Sequence, residues 1–323
     1  MTDRGLLDLM IARLAKITCR EKILLCESLG GESDFSQKSK PDIEAIIGRK
    51  LPGFWNTGAL QKAAGNDAEV ARRLGIKWVT WLGEDYPPLL REIYDPPALL
   101  FYRGSLPNPE RPLAAIVGTR KPSPQSAAQA FDIAKDLGRG GIPVVSGLAI
   151  GIDAMAHRGN MEGGAPTYAV LGSGADAIYP SSNRQLAGRI LETGGAIISE
   201  YPPGTGPFKW NFPARNRIIS GLARGAVIVE APQKSGALIT ARFSLEHNRD
   251  LWVASSGVVD SGRFDRAGTK KLAEEGAEVI HSASAIFSAW GMEYPAPLPV
   301  QEGEELAHMR DASSLAFSLG IEI

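Results

Sequence analysis

Residues 208–217, Phe-Lys-Trp-Asn-Phe-Pro-Ala-Arg-Asn-Arg, carry three aromatic rings and three cations, and no Asp or Glu lies between Glu200 and Glu230. Cations that neutralise phosphates, interleaved with rings on which bases stack, are the components of a site for polyanions bearing flat bases. The Phe212-Pro213 pair predicts extended backbone ahead of a helix carrying Asn216, Ile218, Ile219 and Leu222. Arg215 and Arg217 then fall in the first turn of that helix, where the helix dipole disfavours cations unless an anion is bound nearby. That argues for a ligand. The competing explanation makes Phe208, Trp210 and Phe212 core anchors and pairs the arginines with acids on neighbouring loops. No acid close in sequence can pair with Lys209, Arg215 and Arg217 together.

Elements able to position such a site run from residue 113 onward. Apolar runs at 113–117, 143–145, 167–171, 196–198, 226–229 and 251–254 alternate with helix-like segments. Strands that are continuously apolar, rather than alternating, belong to a sheet covered on both faces, so the pattern predicts a doubly wound, mostly parallel α/β sheet. Ligands of such sheets bind beyond the carboxyl ends of the strands. Those ends share a theme of small residues and cations. Gly118-Thr119-Arg120-Lys121-Pro122-Ser123 follows the first run, with Ser123 placed to cap a helix that starts at Pro124, and the free amides there suit a phosphate. Ser146-Gly147 follows the second, Gly172-Ser173-Gly174 the third, and Lys234-Ser235-Gly236 the fifth. Each turn alone is weak, since Gly and Ser serve βα turns for steric reasons. Four on one sheet edge carry more weight. The dinucleotide pattern GxGxxG is absent.

Ahead of the sheet, apolar residues recur at intervals of three and four over 6–30, 41–48 and 56–74, predicting a small all-α domain. Leu51-Pro52-Gly53 has the form of a helix-hairpin-helix loop whose amides can grip phosphate, but a plain Pro-Gly turn is the simpler reading. Residues 75–112 hold one strand at 78–81 and then proline-rich breaks, a connector expected to pack on the α/β domain after it. The expected division is 1–75 helical, of SAM or helix-hairpin-helix type; 76–290 Rossmann-like, with 76–112 as lead-in; and 291–323 a Pro-rich linker and short tail.

Composition sets further bounds. The 35 Lys+Arg and 36 Asp+Glu give a net charge of -1, so affinity for nucleic acid has to come from charge distribution. Cys19 and Cys26 lack the partners of a zinc cluster or disulfide framework and are expected as reduced core residues. The start of the chain shows no cleavage signal and no apolar run approaches a bilayer span, so a cytoplasmic protein with no membrane association is expected. Asp153 and His157 share a helix face without a third ligand, and four scattered histidines give no metal site.

Six segments, VGTRKPS, SGLAIGIDAMAH, VLGSGADAIYP, SEYPPG, FPARNRIISGLA and SGALITA, in this order and spacing, closely resemble the DprA (Smf) family of DNA-processing proteins. WVTWLGEDYPPLLREIYDPPALLFYRG resembles that family's lead-in to its extended Rossmann-like domain. The resemblance implies a recombination mediator and not an enzyme: a homodimer without cofactor that binds single-stranded DNA, protects incoming strands and loads RecA recombinase in natural transformation. The family's phosphate-gripping arginine falls on Arg120, with Thr119 replacing a serine, and its pocket lysine and adjacent aromatic fall on Lys209 and Phe212. The full set of candidate DNA contacts is Gly118, Thr119, Arg120, Lys121, Ser123, Ser146, Gly147, Lys209, Phe212, Arg215, Asn216, Arg217, Ser235 and Gly236. Phe208 and Trp210 are then expected as packing residues.

Three departures stand out. Ile150 occupies a position where the family commonly has arginine, and Gly268-Thr269-Lys270 lacks the asparagine of the family's Gly-Thr-Asn helix start. Residues 291–323 are too short for the winged-helix domain that ends many relatives. A second reading, a nucleoside-monophosphate phosphoribohydrolase of the lonely-guy type on a related fold, needs a carboxylate after Thr240 that this chain does not have. Glu200 and Glu230, at strand ends, remain as conceivable acids for it.

Overall fold

The computed structural model describes residues 2–53, 55–259 and 263–296. Five helices come first: α1 (Asp3–Arg13), α2 (Cys19–Ser28), α3 (Glu32–Gln37), α4 (Lys40–Ile47) and α5 (Thr57–Leu74). Local chemistry sets their ends. Thr18 and Glu21 form a capping box on α2, Ser39 and Asp42 another on α4, and left-handed Gly48 and Gly75 close α4 and α5. In the Leu51-Pro52-Gly53 turn the Leu51 amide donates to Glu44 Oε1 at 2.8 Å, and Lys40 Nζ donates to Gly53 O at 2.9 Å. The chain's own carboxylate therefore sits on an amide that a phosphate would use.

The lead-in contains β1 (Lys77–Thr80), α6 (Pro88–Arg91) and β2 (Leu99–Gly104). More than a connector, it adds two strands to the sheet edge, β1 antiparallel to β2 and β2 antiparallel to the strand at 196–199. Ala98, Leu99, Leu100 and Phe101 are all buried, and β2 starts at Leu99, two residues after Pro96-Pro97, which hid the strand in the sequence. Then come β3 (Ala114–Val117), α7 (Pro124–Arg139), β4 (Val144–Ser146), α8 (Ile152–Glu162), β5 (Thr167–Leu171), α9 (Arg184–Glu192), β6 (Ala196–Ser199), α10 (Asn211–Leu222), β7 (Gly225–Ile228), α11 (Gly236–Glu246), β8 (Asp250–Ala254), α12 (Ala267–Glu274), β9 (Glu278–Ile280) and α13 (Ser284–Ala289). All six apolar runs are strands. The sheet order is β1-β2-β6-β5-β4-β3-β7-β8-β9, parallel from β6 to β9.

Both faces are covered, as the apolar runs require. Leu100, Ala115, Val145, Val170, Ile198 and Ile228 point to one face, under α6, α10 and α11. Ile116, Val144, Val227 and Trp252 point to the other, under α7, α8 and α13, and Leu99, Phe101, Leu171 and Ile197 extend that face beneath α9 and the N-terminal helices. Each fully buried Val, Leu or Ile contributes about 1.5–3 kcal/mol relative to exposure. The helical region thus shares a core with the sheet. From β3 the chain steps outward through β4, β5 and β6 and then returns to β7 on the opposite side of β3. That reversal opens a crevice beyond the carboxyl ends of the central strands.

Residues 297–323, including most of the expected linker and tail and a helix expected over 307–319, lie outside the described residues. Among the described residues no helix is long and apolar enough to cross a membrane.

Candidate nucleic-acid interface

A cavity of about 650 Å³ occupies the crevice. Gly118, Thr119 and Arg120 reach it from the end of β3, Ala149 from the turn after β4, Asp153 from the first turn of α8, and Tyr179 from the loop after β5. Lys209, Phe212, Arg215 and Asn216 enter from the start of α10, and Lys234, Ser235, Gly236 and Thr240 from the start of α11. Segments distant in sequence thus meet at one sheet edge.

Phe212 is half-buried in its wall. Gly172 makes room for it, since a Cβ there would stand 3.0 Å from the ring, and Tyr179 leans on it at 5.5 Å between centroids and 47° between planes. The Arg120 guanidinium carbon lies 6.0 Å from the Phe212 centroid, while the side chain itself is exposed. Arg120 and Lys209 therefore present exposed cations to the cavity that Phe212 also lines.

Arg215 is buried beneath them. Its Nη1 donates to Gly147 O at 2.9 Å and also to Val170 O, and burial pulls its pKa down to about 10 although Asp153 opposes the shift. It stays charged at neutral pH. Gly147 permits this approach: a Cβ would lie 2.6 Å from the guanidinium and 2.7 Å from Asp153 Oδ2. Asp153, the acid bordering the cavity, accepts from the Gly147 and Ala149 amides at 3.1 and 3.3 Å. His157, one turn further along α8, is wholly buried with Nδ1 against Thr167 Oγ1 at 2.8 Å, and burial lowers its pKa to about 3. Among the described residues no group of three His, Cys, Asp or Glu side chains is placed to hold a metal ion.

Several expected site residues are used elsewhere. Phe212-Pro213 is not extended: α10 starts at Asn211, because proline is tolerated in a first helical turn. Arg215 and Arg217 consequently lie beyond the first turn, and the helix-dipole argument for a ligand lapses. Arg217 is buried against Glu200 at 2.6 Å, with Asp95 at 3.1 Å and Cys19 Sγ at 3.4 Å. Burial works against both charges, yet each holds the other ionised, with Arg217 raised and Glu200 lowered from their ordinary values. The expected absence of acids held only within the segment, because these carboxylates come from the end of β6 and the lead-in.

Ser123 caps α7 as expected, but it is fully buried. Its amide and hydroxyl go to the Glu230 carboxylate, the hydroxyl at 2.7 Å, and Arg266 Nε stands 3.3 Å from the same carboxylate. The anion at this helix start is the chain's own. Gly268 and Thr269 then dock their amides on Ala231 O, so the Gly-Thr-Lys helix start closes on the end of β7 without the asparagine. Ser146 is also buried and donates to Ile116 O at 2.6 Å. Lys121 is exposed outside the cavity lining. Phe208 and Trp210, expected to pack inside, are exposed.

Sequence reasoning passed over Tyr179, Lys234 and Thr240. Lys234 lies in the turn already singled out after the fifth run, and Tyr179 in the loop that continues from Gly172-Ser173-Gly174, so their place on the same sheet edge was the available signal. Thr240 Oγ1 and Arg215 Nε are buried without a protein partner, and both residues line the cavity.

A family model described as DNA recombination-mediator protein A matches residues 77–291. The chain belongs to this family. Protein Smf of Synechocystis is 45% identical over 212 residues, 64% of this chain and 52% of that protein. DNA processing protein DprA of Streptococcus pneumoniae is 41% identical over 207 residues, 64% of this chain and 72% of that protein. The chain thus spans about half the length of the former. An X-ray structure of the S. pneumoniae protein superposes with a TM-score of 0.68 at 32% identity, covering 89% of this chain and 98% of that one. A structure of DNA processing protein A from Helicobacter pylori, concerned with its single-stranded DNA binding mode, gives 0.57 at 29% identity, covering 66% and 95%. Both superpositions show this recombination-mediator family fold, with the mostly parallel sheet as its centre.

Proposed function

We propose that the cavity binds single-stranded DNA and that the chain is a recombination mediator. One observation carries this reading: Arg120, Lys209 and Phe212 line one cavity, Arg120 beside the Phe212 ring, and the acid that borders it, Asp153, is held by two amides beside Arg215. Cations grip phosphate while the ring takes a base, at about 1–3 kcal/mol per stacked base and with little sequence preference. Gly118, Thr119, Asn216, Ser235 and Gly236 complete the contact surface, and Lys234 joins them. The single-stranded DNA binding of the H. pylori relative supports the choice of ligand. Loading of RecA, a homodimer, protection of incoming strands in transformation and a cytoplasmic location are part of the same proposal and rest on the family.

A phosphoribohydrolase fits less well. Glu230 is bound by Ser123, Ser126 and Arg266, and Glu200 by Arg217 and Cys19, so neither strand-end carboxylate is placed as a general acid. Anisotropy titration with an oligothymidylate and a blunt duplex tests the proposal. Preference for the single strand is expected, with a log-log salt slope of about -2 if Arg120, Lys209 and Lys234 each neutralise one phosphate. Equal affinity for the duplex, or unchanged binding by an R120A/K209A double variant, overturns it.

A further inference from the structure

The rings of Phe208 and Trp210 are 48% and 70% exposed and stack on each other, with centroids 5.0 Å apart and planes 4° from parallel. Trp252 and Trp290 are buried and Trp55, Trp78 and Trp81 at least partly so, which sets Trp210 apart. The loop that carries the pair is pinned. Thr205 donates through its amide and hydroxyl to Pro202 O at 3.2 and 2.7 Å, and the Gly174 amide donates to Thr205 O at 2.8 Å. At the far end the Asn211 amide donates to Phe208 O at 3.0 Å, and its side chain donates to Gly172 O at 2.9 Å. The rings are held in the open by hydrogen bonds to the same sheet edge that supports Phe212.

We propose that the Phe208–Trp210 stack is a second platform for a base, taken from the part of a single strand that leaves the cavity past Lys209. The inference rests on the single-stranded DNA reading of the cavity. Three features favour a nucleobase over a second protein copy. The surface is continuous with the cavity, since Pro207 and Lys209, on either side of Phe208, both line it. Residues 201–229 contain no acid, and the carboxylate that meets the loop from outside, Asp176, accepts from the Gly204 amide at 3.0 Å, so the rim suits a phosphate backbone better than a basic partner. The rings are parallel, and with Phe208 covering one face of Trp210 a base extends the stack on the other. Lys209 lies in sequence between the two rings of this platform and also lines the cavity, where it can meet the phosphate joining two stacked bases. A preset loop also loses little freedom on binding.

Anisotropy titrations of the full chain with oligothymidylates of increasing length test this, together with tryptophan emission. W210A should weaken binding of the longer strands about tenfold, equivalent to ~1.4 kcal/mol and within the range of one base–aromatic stack, and leave the shortest strand that fills the cavity unchanged. The loss should vanish on an abasic strand of the same length. W210F should bind within about twofold of the unsubstituted chain, as a ring-preserving surface change, yet lose the oligonucleotide-dependent quenching of emission. W210A binding long strands as tightly as the unsubstituted chain overturns the inference while leaving the cavity reading intact. So does an equal loss at all lengths accompanied by a lower mass in light scattering, which would assign the pair to a protein contact. No binding by the unsubstituted chain overturns both.

Discussion

Replacing Arg217 by methionine separates a structural arginine from a DNA contact. The substitution keeps most of the buried stem but removes the cation that faces Glu200 at 2.6 Å; Asp95, the other partner, is about half exposed and adds less. Breaking a buried pair by removing one member costs about 3–5 kcal/mol, because the remaining charge stays buried. At about 2–4 °C per kcal/mol for a domain of this general size, Tm should fall by on the order of 10 °C. The pH dependence carries a sharper signature. In the native chain burial pushes the Glu200 carboxyl up, but Arg217 outweighs it and holds the group below its ordinary value of 4.5. A depressed carboxylate contributes stability above its unfolded pKa and loses it as pH falls through the folded value. Without Arg217, burial is opposed only by the Cys19 hydrogen bond and the charge of Lys22, the folded pKa rises above 4.5, and stability is instead lost as pH increases past that point. The gap in Tm between the native chain and R217M should therefore widen from acid toward neutral pH, and E200Q added to R217M should recover part of it. Thermal melts followed by circular dichroism across this range measure both effects. An R217M chain that melts like the native one yet loses oligonucleotide affinity would refute the reasoning and return Arg217 to the interface.

Ile150 is exposed beside Arg120 in a small extension of the cavity, so I150R should steepen the log-log salt slope by about 0.7 and raise low-salt affinity, read by anisotropy. G147A should displace Arg215 and Asp153, at a cost of about 1–3 kcal/mol in denaturant melts together with weaker oligonucleotide binding. Burial lowers the His157 pKa from 6.5 to about 3, so the unfolded chain binds its proton first and stability is lost as pH falls through that window. H157Q should flatten this loss in melts compared between neutral and acid pH.

Strands that are apolar on both faces were legible because burial from two sides leaves an uninterrupted mark, as in 114–117 and 225–228. β2 was hidden by the prolines before it, and β9 has only three residues, two of them exposed. The site divided along a different line. Local signals placed Arg120, Ser235 and Gly236 on one sheet edge and the family resemblance added Lys209 and Phe212, and the chain does bring them together. The same signals could not tell a Gly/Ser turn that faces the cavity from one filled by the chain's own groups. Ser123 therefore turned out to serve Glu230, and Ser146 to serve Ile116. Arg217 was misplaced because its carboxylates arrive from Glu200 and Asp95, whose proximity only the fold creates. Phe208 and Trp210 show the converse limit: ring type does not say whether a loop turns the ring inward or holds it in solvent.

The most direct test of the account is a structure of the chain with a short oligothymidylate. Phosphates within hydrogen-bonding distance of Arg120 and Lys209, with a base against Phe212, are the expected result. A strand bound on the N-terminal helices, with the cavity beyond β3 and β7 free of nucleotide, would contradict the central claim.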